Sequence, residues 1–145
     1  MTQHPVVIKI GGNDLERPGF VDELAAAVAA LHTQATCILV HGGGRTVSQL
    51  QERLGLEPIY VNGQRVTDDA SLDVVEMALS GTVNKRLTLA LLHAGVDALG
   101  MSGVDRGLLR VEPWAAEMGR VGRIVAVRAD VLQGLCDQGV VPVIS

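Results

Sequence analysis

The stretch Val6-Val7-Ile8-Lys9-Ile10-Gly11-Gly12 and its counterpart Cys37-Ile38-Leu39-Val40-His41-Gly42-Gly43-Gly44 set the architecture of the chain. Each is a short apolar run that stops at consecutive glycines, the pattern of a buried strand delivered into a tight turn. Between them Val21, Leu24, Ala25, Val28 and Leu31 recur at three- and four-residue steps, which predicts a helix over residues 19–32 with one buried stripe. The unit is β-α-β. Its two strands are expected to be neighbours in a parallel sheet, which would place Gly11-Gly12 and Gly42-Gly43-Gly44 on the same rim.

Working outward, Val47, Leu50 and Leu54 predict a short helix stopped at Gly55. Ile59-Tyr60-Val61 and Gln64-Arg65-Val66 flank Asn62-Gly63, a pair that accepts the positive φ angles of a type I′ turn, so a hairpin is expected there. Thr67 or Asp68 then caps a long helix whose buried stripe should run through Leu72, Val75, Leu79, Val83, Leu87 and Leu91, with Gly95 as its stop. Gly81 inside that helix costs about 1 kcal/mol relative to alanine, which points to another backbone or a ligand packed against it. Residues 96–101 read as a strand leading into Ser102-Gly103-Val104-Asp105, a loop that Asp105 can order. Residues 108–112 and 122–127 read as an antiparallel pair, 129–138 as a helix and 140–144 as a last buried strand. No linker, repeat or low-complexity tract interrupts the pattern. Apolar strands alternating with amphipathic helices predict an α/β fold, a mostly parallel sheet covered on both faces.

Composition narrows the function classes. A chain of 145 residues with 48% hydrophobic and 19% charged residues is the size and make-up of one globular domain. A net charge of -4 and only 2% aromatic residues argue against nucleic acid as a partner, because neither a basic stripe nor stacking rings are present. No apolar run approaches the roughly 20 residues that span a bilayer, and residues 1–7 lack a signal-peptide layout. A soluble, cytoplasmic protein is expected, with no membrane partner. Cys37 and Cys136 lack His or Cys at metal-ligand spacing, so buried free thiols are expected rather than a disulfide or a metal site.

Glycine turns that open onto a helix expose backbone N–H groups at the positive end of the helix dipole, an arrangement that binds anions. Glycines serve equally well where a turn needs their backbone geometry. A Walker A loop is excluded because no Gly-Lys-Ser/Thr follows, and a dinucleotide fingerprint because Gly-x-Gly-x-x-Gly is absent. Lys9 is expensive to bury unpaired. It either reaches along its strand to a charge at the rim or belongs to an edge strand and snorkels to water. Arg65 is a solvated hairpin charge or an anion ligand, and His41 reads as a hydrogen-bonded turn residue.

Lys9-Ile10-Gly11-Gly12, His41-Gly42-Gly43-Gly44, Asn62-Gly63-Gln64-Arg65-Val66-Thr67-Asp68, Gly81-Thr82-Val83-Asn84-Lys85, Ser102-Gly103-Val104-Asp105 and Val141-Pro142-Val143-Ile144-Ser145, taken in order and spacing, resemble the successive signatures of the N-acetylglutamate kinases. The resemblance covers nearly the whole chain. It implies a three-layer sandwich of the amino-acid-kinase, carbamate-kinase-like fold, and transfer of the ATP γ-phosphoryl group to the side-chain carboxylate of N-acetyl-L-glutamate in arginine biosynthesis. It further implies that Lys9 neutralises the transferring phosphoryl group, that Gly11 and Gly12 donate N–H groups to phosphate, and that Gly43, Gly44 and Arg65 hold the acyl substrate, Arg65 gripping the α-carboxylate under a hairpin lid. Asn84 and Lys85 are expected to be structural or interface residues rather than catalytic ones, and the long helix to resemble the family's homodimer element.

The family's Asn-x-Asn-x-Asp segment, adenine pocket, magnesium environment and second lysine lie beyond Ser145. Residues 1–145 are therefore expected to be the amino-terminal acyl-amino-acid-binding and dimerisation domain, with the nucleotide-binding domain absent. ATP and Mg2+ belong to the full-length family, no metal site is assigned here, and little kinase activity is expected of this chain alone. The short start, without the N-terminal helix of arginine-inhibited relatives, argues against arginine feedback. A kinase for carrier-bound aminoadipate or glutamate in lysine biosynthesis, and a non-catalytic binding or dimerisation module, are the competing readings.

Overall fold

The computed structural model describes residues 5–145; the reading of the chain start as lacking a signal layout falls partly on residues 1–4, outside the described residues. First come β1 (Val6–Ile10), α1 (Phe20–His32), β2 (Cys37–His41), α2 (Gly44–Arg53) and the ribbon β3 (Tyr60–Val61) with β4 (Gln64–Arg65). Then follow α3 (Asp69–Glu76), a π-helical segment (Met77–Val83), α4 (Asn84–His93), β5 (Ala98–Met101), β6 (Leu109–Pro113), β7 (Gly122–Val127), α5 (Ala129–Cys136) and β8 (Val141–Ile144).

The central sheet has the order β1-β2-β8-β5, and every pair in it is parallel. β1 and β2 pair from Val6↔Cys37 to Ile10↔His41, as the β-α-β reading expects. β8, last in sequence, enters between β2 and β5 and is buried along its whole length. Alternation of side chains across the pleat divides the core between two faces. Cys37, Leu39, Val141 and Val143 pack with α1 and α4, where Val28, Leu87 and Leu91 are almost fully enclosed. Ile38, Met101 and Ile144 turn the other way and meet Val131 and Cys136 of α5. Burial of each such aliphatic side chain contributes about 1.5–3 kcal/mol. The two cysteines therefore lie on opposite faces of the sheet, both free, with burial raising both thiol pKa values.

The hairpin turn forms as its residues require: Asn62 and Gly63 take φ of 50° and 78°, and Val66 N–H donates to the Ile59 carbonyl at 2.8 Å. Asp68 caps α3 by accepting from Ser71 N–H at 2.7 Å. Beyond the cap the expected stripe needs correction. The residues buried are Ser71, Val74 and Ala78, then Val83, Leu87 and Leu91, whereas Leu72 is 38% exposed. A step of five from Ala78 to Val83 replaces the usual three or four because the π-helical turn inserts one residue and rotates everything before it. The stripe is right after that turn and one residue out before it. Gly81, within the π segment, has no chain atom within 4 Å of where a Cβ would be, so no backbone of this chain packs on it. At the end of α2, too, Leu54, the residue after Arg53, is exposed and Gln51 takes the buried position. Among the described residues no helix is long and apolar enough to cross a membrane.

Candidate functional site

The rim expected from the sequence exists. In register, Ile10 lies beside His41, and Gly42 N–H donates to the Ile10 carbonyl at 3.2 Å, so both strands turn at the same edge. A Cβ on Gly12 would sit 3.1 Å from Gly44 N and 3.2 Å from Gly43 Cα; only glycine lets the two turns touch backbone to backbone. Gly43 is buried behind them, where a Cβ would meet Leu79 Cδ2 at 2.7 Å and Val83 Cγ2 at 3.2 Å. Its missing side chain seats the second turn on the π segment. Gly44 begins α2, whose first N–H groups have no partner within the helix and carry its positive end.

Lys9, Gly11, Gly12, Gly44 and Arg65 line one open cleft of about 850 Å³, together with Asp14, Arg45 and Glu52. Lys9 is exposed on β1, an outer strand of the sheet, so the edge-strand alternative holds and the premise of a buried lysine does not. A smaller cleft of about 430 Å³ between the start of α1 and α4 contains neither glycine turn.

Arg65 is not a solvated hairpin charge. Its Nη1 donates to Gln51 Oε1, its Nη2 to Ser48 Oγ at 2.7 Å and to Tyr60 Oη at 2.9 Å, and its guanidinium carbon lies 5.2 Å from the Tyr60 ring centre. Gln51 in turn donates from Nε2 to Ser71 Oγ at 3.1 Å. Sequence reading missed Gln51, Ser48 and Tyr60. A usable signal was present, since Gln51 follows the buried Val47 by four and shares its helix face.

Behind the glycines, His41 is 5% exposed and fully engaged. Its Nδ1–H donates to the Gly42 carbonyl at 2.9 Å, and its Nε2 accepts from Asn84 Nδ2 at 3.1 Å. The amide orientation of Asn84 follows from Lys85 Nζ, which can only donate, at 3.3 Å from Asn84 Oδ1. Asn84 Nδ2 also donates to the Val143 carbonyl at 2.8 Å, so this fully buried amide ties the ends of β2 and β8 to α4. His41 is thus a neutral turn residue, its pKa lowered by burial against a smaller opposing effect of the Gly42 carbonyl. The unfolded chain takes up a proton near the ordinary value of 6.5 while the folded chain still resists it, so stability falls as the pH drops through that window. Urea unfolding at about pH 7.5 and about pH 5.5, above the carboxylate range, should show this loss in the wild type and a smaller one in His41→Gln. Equal losses would remove His41 as the cause. Asp105 orders its loop as expected, accepting from Ser102 N–H at 2.6 Å and Ser102 Oγ at 3.0 Å.

A four-strand parallel sheet with two glycine turns and an open cleft at one rim is an α/β arrangement that takes ligands beyond the strand ends, and residues 4–145 match the Amino acid kinase family. The chain belongs to that family. It is 54% identical over 143 residues to the acetylglutamate kinase of Roseiflexus sp. (strain RS-1), covering 97% of this chain and 54% of that protein. It is 46% identical to the acetylglutamate kinase of Methanopyrus kandleri, covering 96% of this chain and 56% of that one. The chain spans about half the length of the curated relatives it matches. Among solved structures, N-acetylglutamate synthase from Neisseria gonorrhoeae, complexed with coenzyme A and N-acetyl-glutamate, superposes with a TM-score of 0.77 at 28% identity over 97% of this chain and 32% of that one. UMP kinase from Ureaplasma parvum, at 16% identity and a TM-score of 0.61 over 99% of this chain and 54% of that one, shares the fold.

Proposed function

We propose that residues 1–145 supply the acyl-amino-acid-binding part of an acetylglutamate kinase, acting in arginine biosynthesis. The observation that carries this reading is that one cleft is lined by Lys9, the Gly11-Gly12 and Gly44 turns and Arg65 together; the relatives' names supply the substrate. N-acetyl-L-glutamate is a small dianion, and the cleft is lined by the Arg65 guanidinium, the Lys9 ammonium and the start of α2, against which Arg65 rests through Ser48 Oγ. Arg65 takes the α-carboxylate, Gly44 shapes the wall against which the acyl chain lies, Lys9 with the N–H groups of Gly11 and Gly12 receives phosphoryl oxygens, and Gly43, buried behind the turn and outside the cleft lining, supports that wall instead of touching the substrate as the resemblance implied.

The reaction needs little from the chain beyond placement and charge. The side-chain carboxylate, with an ordinary pKa of about 4.3, is already ionised at neutral pH. It attacks the γ-phosphorus of ATP, the bond to the bridging oxygen breaks, ADP leaves and an acyl phosphate forms, with no proton to remove. Holding two anions in line and offsetting their repulsion therefore supplies most of the rate. Among the described residues no group of three His, Cys, Asp or Glu side chains is placed to ligate a metal. A homodimer through α3 and α4 is supported by Leu89 and Leu92, about half exposed on α4. A cytoplasmic setting accords with two free, buried cysteines.

Calorimetric titration tests the binding half of this reading. N-acetyl-L-glutamate should bind at one site. N-acetyl-L-glutamine, with the side-chain charge removed, and 4-acetamidobutanoate, lacking the α-carboxylate, should each bind at least about tenfold more weakly, the value of one charge-assisted hydrogen bond. Equal affinities for all three, or none for the first, would sink it.

A further inference from the structure

We infer that Gln51 is a positioning residue for Arg65: a neutral acceptor that fixes the guanidinium from behind while leaving its charge whole for an anion in the cleft. The inference rests on the proposed function only for the identity of that anion.

Gln51 is 0% exposed and does not line the cleft, yet both ends of its amide are used. Oε1 accepts from Arg65 Nη1 and Nε2 donates to Ser71 Oγ at 3.1 Å. The opposite amide orientation would set an NH₂ against a guanidinium that can only donate, so the assignment is forced. Ser71 is itself held, its N–H donating to Asp68 Oδ1 at 2.7 Å at the start of α3. A chain of bonds thus runs from a helix cap through one buried amide to the hairpin arginine.

The two Nη nitrogens face different surroundings. Nη1 is committed to the buried amide, whereas Nη2 meets Ser48 Oγ and Tyr60 Oη, two hydroxyls that lie with Arg65 on the cleft wall, and more distantly the Gly44 carbonyl at 3.5 Å. A hydroxyl can turn its own proton toward an arriving carboxylate oxygen, so these partners can be recruited to the ligand rather than displaced. A glutamate in place of Gln51 would accept the same bond from Nη1 but cancel the charge. A leucine would fill the volume and leave the guanidinium free to rotate. An amide is the side chain of this length that does neither.

The experiment combines guanidinium ¹⁵N–¹H NMR of the ligand-free chain with titrations of N-acetyl-L-glutamate and 4-acetamidobutanoate, for wild type, Gln51→Leu and Gln51→Glu. Wild type and Gln51→Glu should show distinct Arg65 Nη signals, and Gln51→Leu averaged ones. Both variants should bind N-acetyl-L-glutamate about tenfold more weakly, with 4-acetamidobutanoate unaffected. Should leucine prevent folding, Gln51→Glu still decides: retained signals with lost affinity support the inference, and unchanged affinity overturns it. Unchanged Arg65 signals in a folded Gln51→Leu, or equal loss for both ligands, also overturn it. If wild type binds neither ligand while Gln51→Leu averages the Arg65 signals, the functional reading fails and the positioning role stands.

Discussion

Asn84→Ala is expected to destabilise the fold by about 2–4 kcal/mol, a large part of the stability of a domain this size. Asn84 is fully buried, and its side-chain amide joins His41 Nε2, the Val143 carbonyl and Lys85 Nζ. Truncation removes the donor but leaves His41 Nε2 and the Val143 oxygen enclosed without it, and each such orphaned group costs roughly 1–3 kcal/mol. Water has little room to replace the amide, because Gly100 presses so closely that a Cβ there would collide with Asn84 Oδ1 and Thr88 Oγ1. Urea unfolding should show the midpoint falling by about 1–2 M at unchanged slope. A loss below about 1 kcal/mol would mean that the network contributes little and that apolar packing of α4 on the sheet suffices.

Arg65→Ala should lower the affinity for N-acetyl-L-glutamate about a hundredfold, with a stability loss of about 1–3 kcal/mol from the Gln51 Oε1 it leaves buried without a donor. In the proposed complex two charge-assisted hydrogen bonds to one carboxylate would be lost, each worth roughly 1.5 kcal/mol at the low end of such bonds. The side chain is half-buried at the edge of a two-stranded ribbon, so its loss leaves the main core intact. Arg65→Lys keeps the charge without the planar fork and should recover only part of the affinity. Calorimetry on the three proteins, with thermal unfolding as a control, measures this. An alanine variant that binds as tightly as wild type would remove Arg65 from the site.

These two residues differ in how far the amino-acid order foretold them. Arg65 stands next to Asn62-Gly63, a turn whose backbone angles are dictated by its own residues, so the position of the arginine beyond a hairpin could be read locally. The same holds for the strands ending in Gly11-Gly12 and Gly42-Gly43-Gly44 and for the Asp68 cap, each set by residues within a few positions. Lys9 was placed at the correct rim for a partly mistaken reason, since its strand is an outer one and the side chain is exposed. Asn84 was expected to be a structural or interface residue, but nothing nearby in sequence named His41 or Val143 as its partners.

Local order therefore accounts for the strand, turn and cap positions, because backbone preference and apolar spacing act over a handful of residues. Three features came only with the folded chain: the insertion of β8 between β2 and β5, the π-helical step that puts Ser71, Val74 and Ala78 inward in place of Leu72, Val75 and Leu79, and the burial of Gln51 beneath Arg65. Each joins groups from 14 to about a hundred residues apart or rotates one face against another. Such choices are made by which arrangement encloses the apolar surface while leaving the fewest polar atoms unpaired, and that comparison is made over the whole molecule at once.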